Sequence, residues 1–306
     1  MEQVKKEPSG LLIVNKHKGV TSHDIVNKIR RLYGTKRVGH TGTLDPLATG
    51  VLVVLVGRAA KAAEYLVADT KRYRAELRFG IESDSEDITG NITATYDTIP
   101  KENDVLEAVR EFAGNIKQIP PMYSAIKVGG KKLVDLAREG VVVERQAREV
   151  TVFEISAAPT DTSSDYVLDV FCSSGTYIRT LCADIGKRLG SGAVMTELER
   201  REAGGFSIED SHTVEEIEAL DEKERFDLLV PTEKLFSSLE EVRLPMFYEK
   251  LSRNGCEIYQ KKIKTSFSIG KRVRMLTESG EFYALGEVRE YEDGTAIKAI
   301  KLFDLE

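Results

Sequence analysis

Three features of this chain predict an α+β fold in two domains. Strand-like and helix-like segments follow one another without a regular βαβ repeat. The length of 306 residues is about twice that of a common domain. Near residue 240 the composition shifts, and a long mixed part gives way to a short β-rich one. Hydrophobic residues make up 41% of the chain, enough for a sizeable core, and charged residues 31%, enough for a solvated surface.

Gly10 to Asn15 is a short apolar run that reads as a buried strand. Thr21 or Ser22 then caps a helix whose Ile25, Ile29 and Leu32 keep helical spacing, with Gly34 as its stop. Gly39 to Gly50 carries three glycines and a proline and reads as a structured loop. Val51 to Val56 is a strand and Ala59 to Leu66 a helix. From Lys71 to Phe79 the residues alternate: Tyr73, Ala75, Leu77 and Phe79 share one face, Arg72, Arg74, Glu76 and Arg78 the other. Further strands are expected at 92–96, 147–157 and 165–173, and helices at 104–112, 131–139 and 178–189. Segment 207–242 holds 12 acidic and 3 basic residues and reads as surface helices plus a linker. Beyond Pro245, short β-rich runs (Arg272 to Leu276, Tyr283 to Val288, Ile297 to Phe303) alternate with glycine turns, which suits a small barrel-like appendage.

Composition narrows the function classes. The longest apolar run, Val51 to Val56, is far too short to cross a bilayer. Met1 to Glu7 shows no apolar stretch followed by a cleavage site, so a cytoplasmic protein without a secretory signal is expected. Cys172, Cys182 and Cys256 form no C-x-x-C pair; reduced thiols serving as small core residues fit best. The histidines are scattered and no Cys/His cluster occurs, which argues against zinc. The net charge of −6 conceals an asymmetry: residues 1–80 hold 15 basic against 7 acidic residues, and 117–148 hold 7 against 3. Such a field can draw phosphates to one face of an acidic chain.

The most informative stretch is Gly39-His40-Thr41-Gly42-Thr43-Leu44-Asp45-Pro46-Leu47-Ala48-Thr49-Gly50. Its glycines permit turns closed to other residues, and Pro46 holds Asp45 extended, so the loop can present one carboxylate at a fixed angle. An aspartate capping a turn is the ordinary reading of an Asp-Pro pair. The physics of the loop leaves both roles open.

This loop resembles the catalytic motif of the TruB family, the tRNA pseudouridine-55 synthases. Val14-Asn15-Lys16 with Gly19 is similar to the family's N-terminal motif, Lys71-Arg72-Tyr73 to its K-x-Y motif, and Gly175-Thr176-Tyr177-Ile178-Arg179 to its G-T-Y-I-R motif. Gln118 to Ala125 resembles the start of an RNA-gripping thumb insertion at about 117–148. Gly190 to Phe206 resembles the segment with an L-R-R pattern, with Leu198 at its leucine. Residues 243–306 resemble a PUA RNA-binding domain, after a catalytic domain at 1–240. Two positions depart: Glu199 and Glu202 stand where arginine is common in the family, which would weaken a local phosphate contact.

The resemblance implies a pseudouridine synthase fold, a mixed, largely antiparallel central sheet flanked by helices. It also implies isomerisation of uridine-55 in the T-loop of tRNA. That reaction breaks a C–N glycosidic bond, turns the freed uracil and rebuilds the link through carbon, with no redox change and no group donor. No cofactor or metal is therefore expected. The resemblance nominates Asp45 as the catalytic carboxylate and Arg179 as its cationic partner, a planar fork suited to a carboxylate. Tyr73 becomes the stacking platform for a base flipped out of its RNA. Tyr177 and Leu198 become walls, His40 a contact to the flipped nucleotide or a filler of the gap it leaves, and Lys16 a phosphate contact. Lys127, Lys131 and Lys132 would grip phosphates from the thumb, with Gly129-Gly130 as its hinge. The expected partner is the tRNA T-arm, bound by a monomer that needs no other protein and can also assist RNA folding. A non-catalytic RNA binder, a guide-RNA-dependent relative and a glycosidase are the alternatives. The intact set of Asp45, Tyr73 and Arg179, the thumb-like insertion, and the lack of a second carboxylate in a comparable motif speak against them in turn.

Overall fold

The strand Thr49–Val56 is buried on both faces, and its register explains why its sequence is apolar throughout. Leu52, Val54 and Val56 point into the main core with Leu12, Val14, Ile25 and Ile29. Val51, Val53 and Leu55 point to the opposite side, against Leu11, Ile13, Ala59 and Ala203. The neighbouring strand Gly10–Lys16 pairs with it antiparallel, Gly10 opposite Val56 and Lys16 opposite Gly50. The computed structural model describes residues 7–65 and 70–303. The reading of Met1 to Glu7 therefore lies almost wholly outside the described residues, as does Leu66, the expected end of a helix.

Ten strands form the central sheet. Its main path runs His212–Thr213, Gly10–Lys16, Thr49–Val56, Ala193–Ala203, Thr70–Phe79, Asp165–Ser173, Arg148–Pro159 and Gly114–Gln118. Two neighbouring pairs are parallel, Gly10–Lys16 with His212–Thr213 and Thr49–Val56 with Ala193–Ala203; the others are antiparallel. The expected α+β class and mixed, largely antiparallel sheet are found. Thr70–Phe79 buries Tyr73, Ala75, Leu77 and Phe79, as its alternation predicts. The helix Ser22–Leu32 starts with a full capping box: the Thr21 side chain accepts from the Asp24 N–H, and the Asp24 carboxylate accepts from the Thr21 N–H. Glu102–Glu111 and Ile178–Arg188 are further helices over the main core.

Several expectations need correction. The helix expected from Ala59 is a 3₁₀ segment, Gly57–Tyr65. The loop from Gly39 is shorter than expected, because Val38–His40 and Thr49–Val56 pair as strands at its two ends. Ala193–Ala203, expected as no element, is a central strand. Segment 207–242 is more than surface and linker: Val214, Ile217 and Phe236 are buried, and Leu11 and Val230 bond through their backbones in both directions. Cys172 and Cys182 are buried as expected, but Cys256 is exposed. Gly129-Gly130 is the tight turn of a hairpin between Lys127–Val128 and Lys131–Lys132, both glycines at positive φ, and no hinge is needed to explain it.

A second sheet of five strands gathers Glu241–Arg243, Arg272–Leu276, Phe282–Tyr291, Gly294–Leu302 and Ile258–Tyr259, with its own core around Val273, Met275, Tyr283 and Ile297. It meets the rest of the chain through Leu285 and Phe303 packed on Ala62 and Phe236. Ion pairs Glu64–Lys301 and Glu233–Arg274 flank that contact. No helix among the described residues is long and apolar enough to cross a membrane.

Candidate active site

The loop that carries Asp45 is held from several sides before any substrate is considered. The buried Ser22 hydroxyl, in the first turn of its helix, donates to the Leu44 carbonyl at 3.0 Å and accepts from the Leu44 N–H at 2.8 Å. The Gly19 N–H donates to the Pro46 carbonyl at 2.8 Å, and the Thr41 N–H to the Val53 carbonyl at 3.1 Å. The Ala48 N–H returns to the Asp45 carbonyl at 3.1 Å and closes a turn around Pro46. Position is thus set by backbone bonds, and the carboxylate is left to face outward.

It faces a cleft of about 280 Å³ lined by Asp45, Tyr73, Tyr177, Arg179 and Leu198, five of the seven residues expected from sequence. Tyr73 and Leu198 come from adjacent strands: Leu198 lies opposite Ala75, and Tyr73 is flanked by Val170 on one side and Arg200 on the other. Both rings of bonding around Tyr177 come from one residue. The buried Gln118 amide accepts from the Tyr177 N–H at 2.9 Å and donates to its carbonyl at 3.1 Å, fixing the entry to the helix Ile178–Arg188. A larger recess of about 410 Å³ opens at the junction with the C-terminal sheet, beside Phe236 and Arg272. It shares Thr41 with the cleft, but among the described residues no carboxylate lines it, whereas Asp45 lines the smaller space.

Arg179 is 5% exposed and reaches Asp45 Oδ2 with one arm at 3.1 Å. The same arm donates to the Tyr123 carbonyl at 2.8 Å; the other donates to the Ser85 carbonyl at 3.1 Å and to Asp87 Oδ2 at 3.4 Å. Asp87 is itself fixed, its Oδ1 accepting from the Thr89 N–H and the Ser85 hydroxyl, each at 2.9 Å. Asp45 keeps 38% of its side chain exposed toward the cleft, yet protein surrounds it closely enough that burial pushes its carboxyl above the ordinary aspartate range. The Arg179 charge opposes that rise, Asp87 adds to it, and Lys16 opposes it. A carboxylate held above its ordinary range, beside a cation that cannot lose its proton, suits attack on carbon or removal of a proton.

One expected contact, Lys16, is not where the sequence put it. Lys16 is fully buried, and its ammonium donates to the carbonyls of Val20 at 2.8 Å and His17 at 3.0 Å. It shapes the turn beneath the Asp45 loop and offers nothing to a phosphate on an open face. His40 ends a short strand and is absent from the cleft lining; its Nδ1 is buried without a hydrogen-bond partner. Lys127, Lys131 and Lys132 are exposed on their hairpin. Glu202 belongs to an ion-pair group on Arg72, with Glu154 and Asp169, and Glu199 lies 3.6 Å from Arg201. These local arginines account for both acids.

Sequence reasoning missed Asp87, Gln118 and Arg200. Asp87 sits among turn formers in Ser83-Asp84-Ser85-Glu86-Asp87-Ile88-Thr89-Gly90, where nothing local singles it out. Leu198 and Arg200 stand two apart, at the first and last positions of the L-R-R pattern, and that spacing lets both face the cleft of Tyr73. Among the described residues no three His, Cys, Asp or Glu side chains converge as a metal site.

Residues 30–178 match the family model of the TruB family pseudouridylate synthase N-terminal domain, and residues 179–237 that of the tRNA pseudouridylate synthase B C-terminal domain. A protein of Alkaliphilus oremlandii named tRNA pseudouridine synthase B is 42% identical over 297 residues, covering 96% of this chain and 98% of that protein. One of the same name from Neisseria meningitidis serogroup A is 39% identical over 300 residues, covering 98% and 96%. Among solved structures, a chain from the crystal structure of a Cbf5-Nop10-Gar1 complex superposes with a TM-score of 0.74 at 25% identity, covering 96% of this chain and 85% of that one.

Proposed function

This chain belongs to the TruB family of pseudouridylate synthases, and from that premise we propose that Asp45 is the carboxylate with which it isomerises uridine-55 in the T-loop of tRNA. Its general activity, conversion of uridine in tRNA to pseudouridine, is that of its relatives. The observation that carries the finer reading is the contact of Asp45 with Arg179 at 3.1 Å on the wall of a cleft floored by Tyr73.

A uridine inside a folded loop must be flipped out, at a cost of a few kcal/mol. Stacking on Tyr73, between Leu198 and Tyr177, offsets about 1–3 kcal/mol of that. Asp45 then either bonds to the anomeric carbon, adds to the uracil ring, or takes a sugar proton; each route breaks the C–N bond and frees the base to turn. Arg179 keeps the carboxylate charged and aimed through these steps, and Asp87 holds the guanidinium's other arm. Residues 243–306 form an auxiliary RNA-binding domain, and Lys127, Lys131 and Lys132 close on phosphates from the thumb.

The test is tritium release from tRNA transcript carrying 5-tritiated uracil, with the modified position mapped afterwards. Asp45→Asn keeps the shape and removes the charge, so turnover is abolished while tRNA affinity persists. In the parental protein turnover falls in acid, through a pH above the ordinary aspartate range, as Asp45 becomes protonated. Turnover by the Asn variant, or label retained at uridine-55, removes the proposal.

A further inference from the structure

Arg200 is 1% exposed and heads the large side chains that are fully enclosed. A guanidinium taken out of water costs several kcal/mol unless its donors are met. Here they go to backbone carbonyls: Nε to Val51 at 2.7 Å, one terminal nitrogen to Gly42 at 3.0 Å, the other to Thr43 at 3.4 Å. Gly42 and Thr43 precede Asp45, and Val51 follows it. One planar group therefore ties the two ends of the Asp45 loop together.

The same residue also links that loop to the floor of the cleft. Its backbone lies opposite Tyr73 on one side and Gly50 on the other, and Leu198, on the same strand, lines the cleft two residues earlier. Leu198 and Arg200, two apart in unbroken register, share the face of Tyr73, and the strand shifts register only after Arg200. The charges that act most on Asp45 are those of Arg179, Asp87 and Lys16. Arg200 contributes geometry: five donors in fixed directions, where an ammonium offers a single point that cannot bridge three separated carbonyls.

We infer that Arg200 is a positioning residue for the isomerisation, its guanidinium setting the Asp45 loop at a fixed height over the floor made by Tyr73 and Leu198. The inference rests on the reading of Asp45 as the catalytic carboxylate. Loss of the clamp lets the loop drift, and a displacement of about 1 Å at a reacting group is enough to cost on the order of a hundredfold in rate.

Arg200→Lys keeps the charge and loses the fork; Arg200→Gln keeps a short planar donor and loses the charge. Circular dichroism and thermal unfolding report the fold, filter binding the tRNA affinity, and quenched-flow tritium release the single-turnover rate at saturating tRNA. Both variants are expected to fold and to bind tRNA as the parent does, with the saturated rate down about a hundredfold or more. A folded variant with the parental rate overturns the inference, as does a loss confined to affinity, which would make Arg200 an RNA contact. If neither variant folds, Arg200 serves the fold and the inference fails as well. Asp45→Asn, run in parallel, separates the two claims: activity there sinks the underlying reading, whereas a dead Asn variant beside a fully active Lys variant sinks the positioning role alone.

Discussion

Burial brings the Lys16 ammonium down from 10.5 to about 8, with the nearby Asp45 charge holding against a deeper fall. The sign of the stability effect follows. Between about 8 and 10.5 the folded chain has shed the proton that the unfolded chain still holds, so stability rises with pH across that window. Below it the protein carries the full cost of a buried ammonium, and above it the cost is gone. Against Lys16→Met, the parental protein should gain on the order of 3 kcal/mol from one end of the window to the other. Urea unfolding of both proteins at the two ends measures this; a difference that stays flat with pH would mean that Lys16 is not charged and buried as its surroundings indicate. The site thus holds cations with separate tasks: Arg179 pairs with the carboxylate, and Lys16 supports the turn beneath it.

Gly50 and Gly42, in the same loop, answer to different elements. Gly50 has φ of 96°, and a Cβ there would lie 2.2 Å from the Arg200 carbonyl, at the parallel junction of Thr49–Val56 with Ala193–Ala203. Gly42 lacks positive φ, and its Cβ would meet nothing closer than the Lys71 side chain at 3.5 Å. Gly50→Ala should therefore cost about 3 kcal/mol or more, read as a lowered urea midpoint, while Gly42→Ala leaves the midpoint unchanged. Equal midpoints for the two would show that the strand junction yields easily. That junction was also the least legible part of the sequence. Thr70–Phe79 announces itself because its buried positions from Tyr73 onward are apolar at every second residue. Ala193–Ala203 buries Leu198 and Arg200 between Glu197, Glu199 and Arg201, and its two bulges break the alternation, so no strand is legible there. An arginine that spends its donors on carbonyls is indistinguishable by type from a solvated one. Asp45, Tyr73 and Arg179 were legible because each lies in a recognisable motif. Gln118 lies in one too, but its bonds to Tyr177 join residues 59 apart, beyond any local pattern.

At the scale of the whole molecule, the question is what the five-stranded sheet does for a cleft whose residues all precede it. Leu285 and Phe303 cover Phe236 and Ala62, and the Tyr65 hydroxyl donates to the Ile300 carbonyl at 3.3 Å. A chain ending after Leu239 loses these contacts, the Glu233–Arg274 pair included. Exposing Phe236 costs about 2 kcal/mol, so thermal unfolding should move down. The main core has no buried member beyond Ile217, so the catalytic part should still fold. The truncated protein is then expected to keep its turnover at saturating tRNA and to bind tRNA more weakly. If the lost contacts are to phosphates, the plot of log affinity against log salt becomes shallower by about 0.7–0.9 per contact removed. The exposed Lys127, Lys131 and Lys132 remain on their hairpin, so part of the slope is expected to persist if they meet phosphates as proposed. Affinities across a salt series for both chain lengths, with tritium release measured alongside, decide the matter. Identical affinity and slope would mean that the C-terminal sheet does not touch this RNA. A folded truncation that loses turnover even at saturation would mean that the sheet holds the cleft in shape through Phe236 and the recess beside it, and that the division of labour between the two parts is wrong.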